Sequence, residues 1–235
     1  MHNSIFLSHL GDLNMGCFQT HRDIVIPPYI SSDRIRTAWK KNSQHDDERR
    51  NILAHFRGTV YWQHETPDPS LLIKSGKSDL YSYGVRQYLL EHFKDDKDVK
   101  VYEGGSEHYV EEVLSSKFCL CPRGFAPWSR RLFDAVQLGC IPVIIADGIE
   151  LPYEEFLDYT SFSVKIAEVE VSKLKQILLG IPESTIRKKR EVMWNLKTRF
   201  LFHKHESNDD AFDMILWKLR MKAVSFRPVA GREYL

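Results

Sequence analysis

The sequence predicts an α/β chain with a doubly wound parallel sheet, on two observations. From Asn51 onward, short apolar runs of strand length alternate with segments whose apolar residues recur at helical spacing. The apolar runs are bounded by glycine and proline, as in Cys121-Pro122-Arg123-Gly124 and Asp147-Gly148. Strands alternating with helices form parallel βαβ units, and ligands then bind outside the carboxyl ends of the strands.

The elements follow in order. Ile5 to His9 and the apolar core of His21 to Tyr29, stopped by Pro27-Pro28, are short strands. Thr37 to Arg50 is polar and charged and reads as a solvated loop or an exposed helix start, serving as a linker. Ile52 to Tyr61 is a strand, Leu80 to Phe93 a helix, Val99 to Tyr102 a strand and His108 to Leu114 a short helix. Phe118 to Cys121 is a strand, Ser129 to Leu138 a helix, Ile141 to Ala146 a strand and Tyr153 to Leu157 a helical turn. Phe162 to Ile166 is the last strand. Helices follow at Leu174 to Leu179, Thr185 to Phe202 and Ala211 to Met221.

Composition narrows the function classes. The 235 residues are 43% hydrophobic with a net charge of +1, enough for one large core and without the field of a nucleic-acid binder. No apolar run approaches the roughly 18 residues of a membrane helix. The start of the chain lacks the pattern of a signal peptide. Cys119 and Cys121, two apart on a strand, share a face and read, with Cys17 and Cys140, as buried thiols. The paired acids Asp46-Asp47, Asp95-Asp96 and Asp209-Asp210 read as solvated. The glycine-rich dinucleotide and P-loop motifs, G-x-S-x-G and H-E-x-x-H are absent.

The chemistry concentrates between Pro122 and Asp134. Proline ends a strand, Gly124 allows close backbone approach, and Arg123 offers a planar fork suited to phosphate. Ser129 is a candidate N-cap. Arg130 and Arg131 occupy a first helical turn that ordinarily favours acids, so they point to an anionic ligand. Asp134 is placed for an i,i+3 ion pair with Arg131 or for hydrogen bonds to sugar hydroxyls. Glu150, after Asp147-Gly148, and Arg57, in Phe56-Arg57-Gly58, are further strand-end candidates. Gly139-Cys140-Ile141-Pro142 reads as a helix stop leading into a buried strand.

These segments resemble the exostosin-type glycosyltransferases. The matching strings are Cys121-Pro122-Arg123-Gly124, Ser129-Arg130-Arg131-Leu132-Phe133-Asp134-Ala135, Gly139-Cys140-Ile141-Pro142-Val143-Ile144 and Glu150-Leu151-Pro152-Tyr153. Asp23-Ile24-Val25-Ile26-Pro27-Pro28-Tyr29 and Phe56-Arg57-Gly58 extend the match, which covers about Asp23 to Ile181. The resemblance implies a two-lobed GT-B enzyme with Rossmann-like lobes, inverting and without a metal or other cofactor. It places Arg123, Ser129 and Arg131 at the donor diphosphate, and Asp134, where the family often has glutamate, at ribose or sugar hydroxyls. Implied partners are a UDP-sugar donor, a glycan or polysaccharide acceptor and another glycosyltransferase as dimer partner. The implied location is the Golgi or endoplasmic reticulum lumen, within a type II membrane protein whose anchor lies outside this chain.

On that basis residues 1–36 are the end of a first lobe and the interlobe segment, 37–50 a linker, 51–205 the nucleotide-sugar-binding lobe and 206–235 a C-terminal helix and tail. The general base is unassigned; His9, Asp12 and His21 are its nearest candidates. Other classes fit the same residues: a non-catalytic or truncated subunit supporting a partner enzyme, or an anion-binding sensor.

Overall fold

The structure is a computed structural model and describes residues 4–14, 16, 18–30, 38, 49–61, 81–203 and 208–225. Most of the expected linker, together with Cys17 and Asp46-Asp47, lies outside these residues. Among the described residues, seven strands form two sheets: β1 (Leu7–Ser8), β2 (Ile24–Val25), β3 (Ile52–Gly58), β4 (Val99–Glu103), β5 (Ser116–Pro122), β6 (Ile141–Ile145) and β7 (Val164–Lys165). β1 and β2 make a separate parallel ladder, and the other five form one all-parallel sheet in the order β4-β3-β5-β6-β7. The strand order reverses between β3 and β5, which opens a crevice at their carboxyl ends.

The helices are α1 (Val85–Phe93), α2 (Tyr109–Leu114), α3 (Arg130–Leu138), α4 (Leu174–Leu179), α5 (Glu183–Leu196) and α6 (Ala211–Ser225). α1 packs against β4 and the Glu168–Lys173 turn, while α2, α3 and α5 pack on one another across β3, β5 and β6. The sheet is therefore covered on both faces, as expected, and β5 and β6 are buried along almost their whole length. Ala54, Phe56, Phe118, Leu120, Val143 and Ile145 form its apolar centre.

Local chemistry sets the ends of α3. Ser129 has extended backbone and its hydroxyl accepts from the Arg131 N–H at 3.3 Å, the N-cap the sequence predicts. Gly139 follows the last turn at φ 73°, where glycine carries no steric penalty. The segment before α1 departs from a regular helix: Ser82, Tyr83 and Gly84 all have positive φ. Ser82 Oγ donates to Gln87 Oε1, and Gln87 Nε2 donates to the carbonyls of Tyr61 and Tyr81, which holds the kink. The last strand is shorter than expected, because Phe162 and Ser163 close hydrogen-bonded turns onto Tyr159.

Several expectations are corrected. Cys119 and Cys140 form a disulfide, and only Cys121 of the three is a buried thiol. The chain passes from β5 through α3 and returns in the neighbouring strand, which brings Cys140 beside Cys119. Asp96 and Asp210 are not simply solvated. Asp96 accepts from the N–H groups of Asp98 and Val99 and pairs with Lys175; Asp210 accepts from Phe212 and Asp213 at the start of α6. Arg50, at the end of the expected solvated linker, is buried and donates to the carbonyls of Val113, Ser116 and Leu138.

No helix among the described residues is long and apolar enough to cross a membrane. The β1-β2 ladder joins the main sheet through backbone. Leu13 N–H donates to the Gly148 carbonyl and Glu150 N–H to that of Gly11, while Lys222 from α6 donates to the Thr20 carbonyl.

The disulfide closes a loop of 21 residues around α3. Its removal by Cys140→Ser is expected to cost about 3 kcal/mol by the loop-entropy relation. Denaturant unfolding of the variant against the oxidised parent measures this; equal midpoints would show that the crosslink contributes nothing.

Candidate functional site

A cleft of ≈ 490 Å³ opens at the carboxyl ends of β3 and β5. Its walls bring together Arg57, Gly124, Ser129, Arg130, Arg131 and Asp134 from the predicted set, with Arg86, Tyr109, Trp128 and Leu10 added. Four arginines and one carboxylate make its lining strongly basic, although the chain as a whole is near neutral.

Arg131 is held for display. Its Nε donates to the Arg57 carbonyl at 3.0 Å and its Nη1 to Ser129 Oγ at 2.8 Å, while the guanidinium lies over the Phe56 ring at 4.7 Å. Gly58 makes this path possible: a Cβ there would lie 2.3 Å from Arg131 Nη2. None of these partners is an anion. Arg130 is half exposed and only loosely paired with Asp134, at 3.6 Å. The expected Asp134–Arg131 pair is thus replaced by an i,i+4 pair, worth a few tenths of a kcal/mol at such a surface.

Arg86 is the residue the sequence did not reveal. It sits in the first turn of α1 and is buried. Its Nε donates to the Arg123 carbonyl at 2.8 Å and its Nη2 to that of Pro122 at 3.3 Å; its Nη1 donates to the Thr59 carbonyl and Tyr81 Oη. Burial, then the nearby Arg131 charge, push its pKa down to about 10, so it remains a cation at neutral pH. A Cβ at Gly124 would lie 2.7 Å from Arg86 Nη2, which is why the turn after β5 carries glycine.

Two predicted residues, Arg123 and Glu150, lie off the cleft lining, and a third, Arg57, has its charge taken by a carboxylate. Arg123 does not line the cleft: it is 3% exposed, pairs with Glu168 at 3.2 Å and lies over the Tyr83 ring at 3.4 Å. Arg57 reaches the cleft, but its guanidinium makes two 2.7 Å bonds to Glu112, so its charge is neutralised internally. Glu150 also lies off the cleft lining, beside Gly11; burial raises the pKa of its carboxyl, against the pull of Lys218 and Lys222.

Glu112 also accepts from His55 Nε2 at 3.0 Å. Burial outweighs this carboxylate and pushes His55 down to about 4. In the unfolded chain the same imidazole protonates near its ordinary value of about 6.5. The unfolded state therefore binds one more proton than the fold between the two values, and stability falls as pH drops through that window. The expected slope is about 1.4 kcal/mol per pH unit. Urea melts at pH 6.5, 5.5 and 4.5 should show it in the parent and a flatter response in His55→Gln. Identical slopes would refute the buried neutral histidine.

With this geometry in place, comparison with known proteins identifies the class. The model of the exostosin GT47 domain matches residues 3–181, and the chain belongs to that glycosyltransferase family. A rice protein (Oryza sativa subsp. japonica) named "Probable glucuronosyltransferase" is 35% identical over 201 residues, covering 85% of this chain and 45% of its own length. "Probable beta-1,4-xylosyltransferase IRX10" of Arabidopsis thaliana is 34% identical over 201 residues, 85% of this chain and 46% of that protein. The chain thus spans about half the length of the curated relatives it matches. Among solved structures, Anabaena Alr3699/HepE in complex with UDP matches with a TM-score of 0.46 at 9% identity, over 94% of this chain and 72% of that one. It is too distant for its ligand to be carried over.

Proposed function

We propose that this chain is the donor-binding lobe of a GT-B glycosyltransferase, one that moves a sugar from a UDP-sugar to a glycan hydroxyl with inversion and without a metal. The observation that carries this reading is Arg131, an arginine displayed over a strand-end cleft by a carbonyl, a hydroxyl and an aromatic face. Family membership supplies the reaction class.

In this reading the donor diphosphate lies at the start of α3. Arg131 and Arg130 take phosphate oxygens, the Ser129 hydroxyl donates its own hydrogen, and the positive end of the helix dipole adds to the field. Arg86, held by carbonyls, contributes a fixed positive charge beneath them. As the sugar leaves, negative charge grows on the diphosphate, and this preorganised field stabilises it without reorganisation. Asp134 accepts from ribose or sugar hydroxyls.

The Cys119–Cys140 disulfide supports a lumenal location, since such crosslinks persist in oxidising compartments. Membership of a Golgi or endoplasmic reticulum membrane protein, and pairing with a second glycosyltransferase, remain part of this proposal.

Arg131→Ala should weaken UDP binding roughly 10- to 100-fold, the loss of one or two charge-assisted hydrogen bonds. Titration calorimetry on the folded variant measures it. An affinity equal to the parent's would remove Arg131 from the site.

A further inference from the structure

The reaction proposed above needs a group that takes the proton from the acceptor hydroxyl, and we infer that this group is His9. The inference rests on the donor-lobe reading and adds the acceptor side to it. His9 follows β1 directly and is exposed. Its Nδ1 lies 3.1 Å from the carbonyl oxygen of Ile26, the residue after β2. A carbonyl has no hydrogen to give, so Nδ1 carries the proton and donates it. In the neutral ring Nε2 is then left with its lone pair. One tautomer is fixed by the second ring nitrogen, the arrangement by which a histidine is oriented as a base.

The ring is also placed. It packs against the Trp128 indole, with centroids 5.9 Å apart and planes tilted by 33°. Trp128 and the next residue, Leu10, both line the donor cleft. Trp128 directly precedes Ser129, the cap of α3. The β1-β2 ladder thus sets an oriented imidazole against Trp128, a residue of the cleft wall.

The two other nearby candidates do not meet these conditions. Asp12 is 5% exposed, accepts from the Asn14 N–H at 2.9 Å and is bridged to Ile149. His21 lies in the turn before β2 and is not the histidine whose ring meets Trp128.

The step balances. The acceptor O–H bond breaks and its proton goes to Nε2 of His9. The oxygen lone pair forms the new bond to the anomeric carbon from the face opposite the diphosphate. The anomeric C–O bond breaks, and its electron pair leaves with UDP beside Arg131. The imidazolium then returns its proton to solvent.

The test uses the full chain, UDP-xylose and UDP-glucuronate as donors, and xylo-oligosaccharide or water as acceptor. His9→Asn keeps an amide N–H able to donate to the Ile26 carbonyl but has no base at the Nε2 position. His9→Gly opens a space for free imidazole. Expected are a fall in UDP release of about 10²- to 10⁴-fold in both variants, as for loss of a general base. UDP affinity by calorimetry should stay within about twofold, since the group does not touch the diphosphate. Added imidazole should restore part of the rate to His9→Gly.

A rate for His9→Asn within about threefold of the parent, loss of UDP affinity in step with rate, or no rescue by imidazole would each overturn the assignment. So would a parent chain that binds UDP yet releases none above buffer. A parent chain that fails to bind UDP would instead overturn the donor-lobe reading.

Discussion

The clamp made by Arg86 is the constraint on which the cleft depends. At the point where the strand order reverses, the carbonyls just past β3 and at the end of β5 face a crevice. Arg86 crosses that crevice and donates to Thr59 on one side and to Pro122 and Arg123 on the other. Each such charge-assisted bond contributes about 1.5–3 kcal/mol, which offsets the cost of burying the guanidinium. A lysine could not replace it, because a single ammonium lacks the planar fork that spans both strands. The positive-φ run from Ser82 to Gly84 turns the chain so that α1 begins where this reach is possible. Backbone strain of that kind persists only where surrounding contacts over-determine it, and here the Ser82–Gln87 bonds do so.

The arginines around the crevice divide by the nature of their partners. Arg57 and Arg123 face carboxylates, Glu112 and Glu168, so their charges are largely cancelled within the fold. Arg86 and Arg131 face carbonyls and hydroxyls, which satisfy the N–H groups without cancelling the charge. The two cationic groups are near enough that Arg131 helps lower the pKa of Arg86. Such a pair raises the energy of an empty cleft, and a doubly charged anion relieves it. Counting arginines overestimates the positive charge of the cleft; asking what each one donates to identifies the pair whose bonds go to carbonyls and hydroxyls.

Much of the frame was legible because it depends on local rules. Ser129 as cap, Gly139 as helix stop and the two buried strands around α3 follow from neighbours in sequence, and the structure keeps them. What was missed depends on which residues lie side by side across strands. Arg86 looks like one polar position on an amphipathic helix until α1 is seen against the strand ends. Cys119 and Cys140 show no motif spacing and meet only because β5 and β6 are adjacent. Arg123 sits at a strand end as expected, but Glu168, remote in sequence, draws its side chain into the interior. The exposed or buried fate of a strand-end arginine is a tertiary fact, and no window along the chain contains it.

The short N-terminal ladder acquires its meaning from how it is attached. Gly11 lies against the Glu150 backbone so closely that a Cβ would stand 2.1 Å from the Glu150 carbonyl oxygen. The backbone bonds between Leu13 and Gly148 and between Glu150 and Gly11 fix the ladder to the segment following β6. The Lys222 bond to the Thr20 carbonyl ties it to α6 as well. Two strands of two residues could not hold a position alone, because so short a ladder barely offsets the entropy of ordering it. Stapled in this way, they set Leu10 and the Trp128 contact of His9 against the cleft wall without needing a long sheet of their own. The cleft arginines and His9 therefore come from separate elements held in one frame. Distance between them is set by backbone hydrogen bonds rather than by flexible side chains, the kind of positioning that transfer between two bound substrates requires.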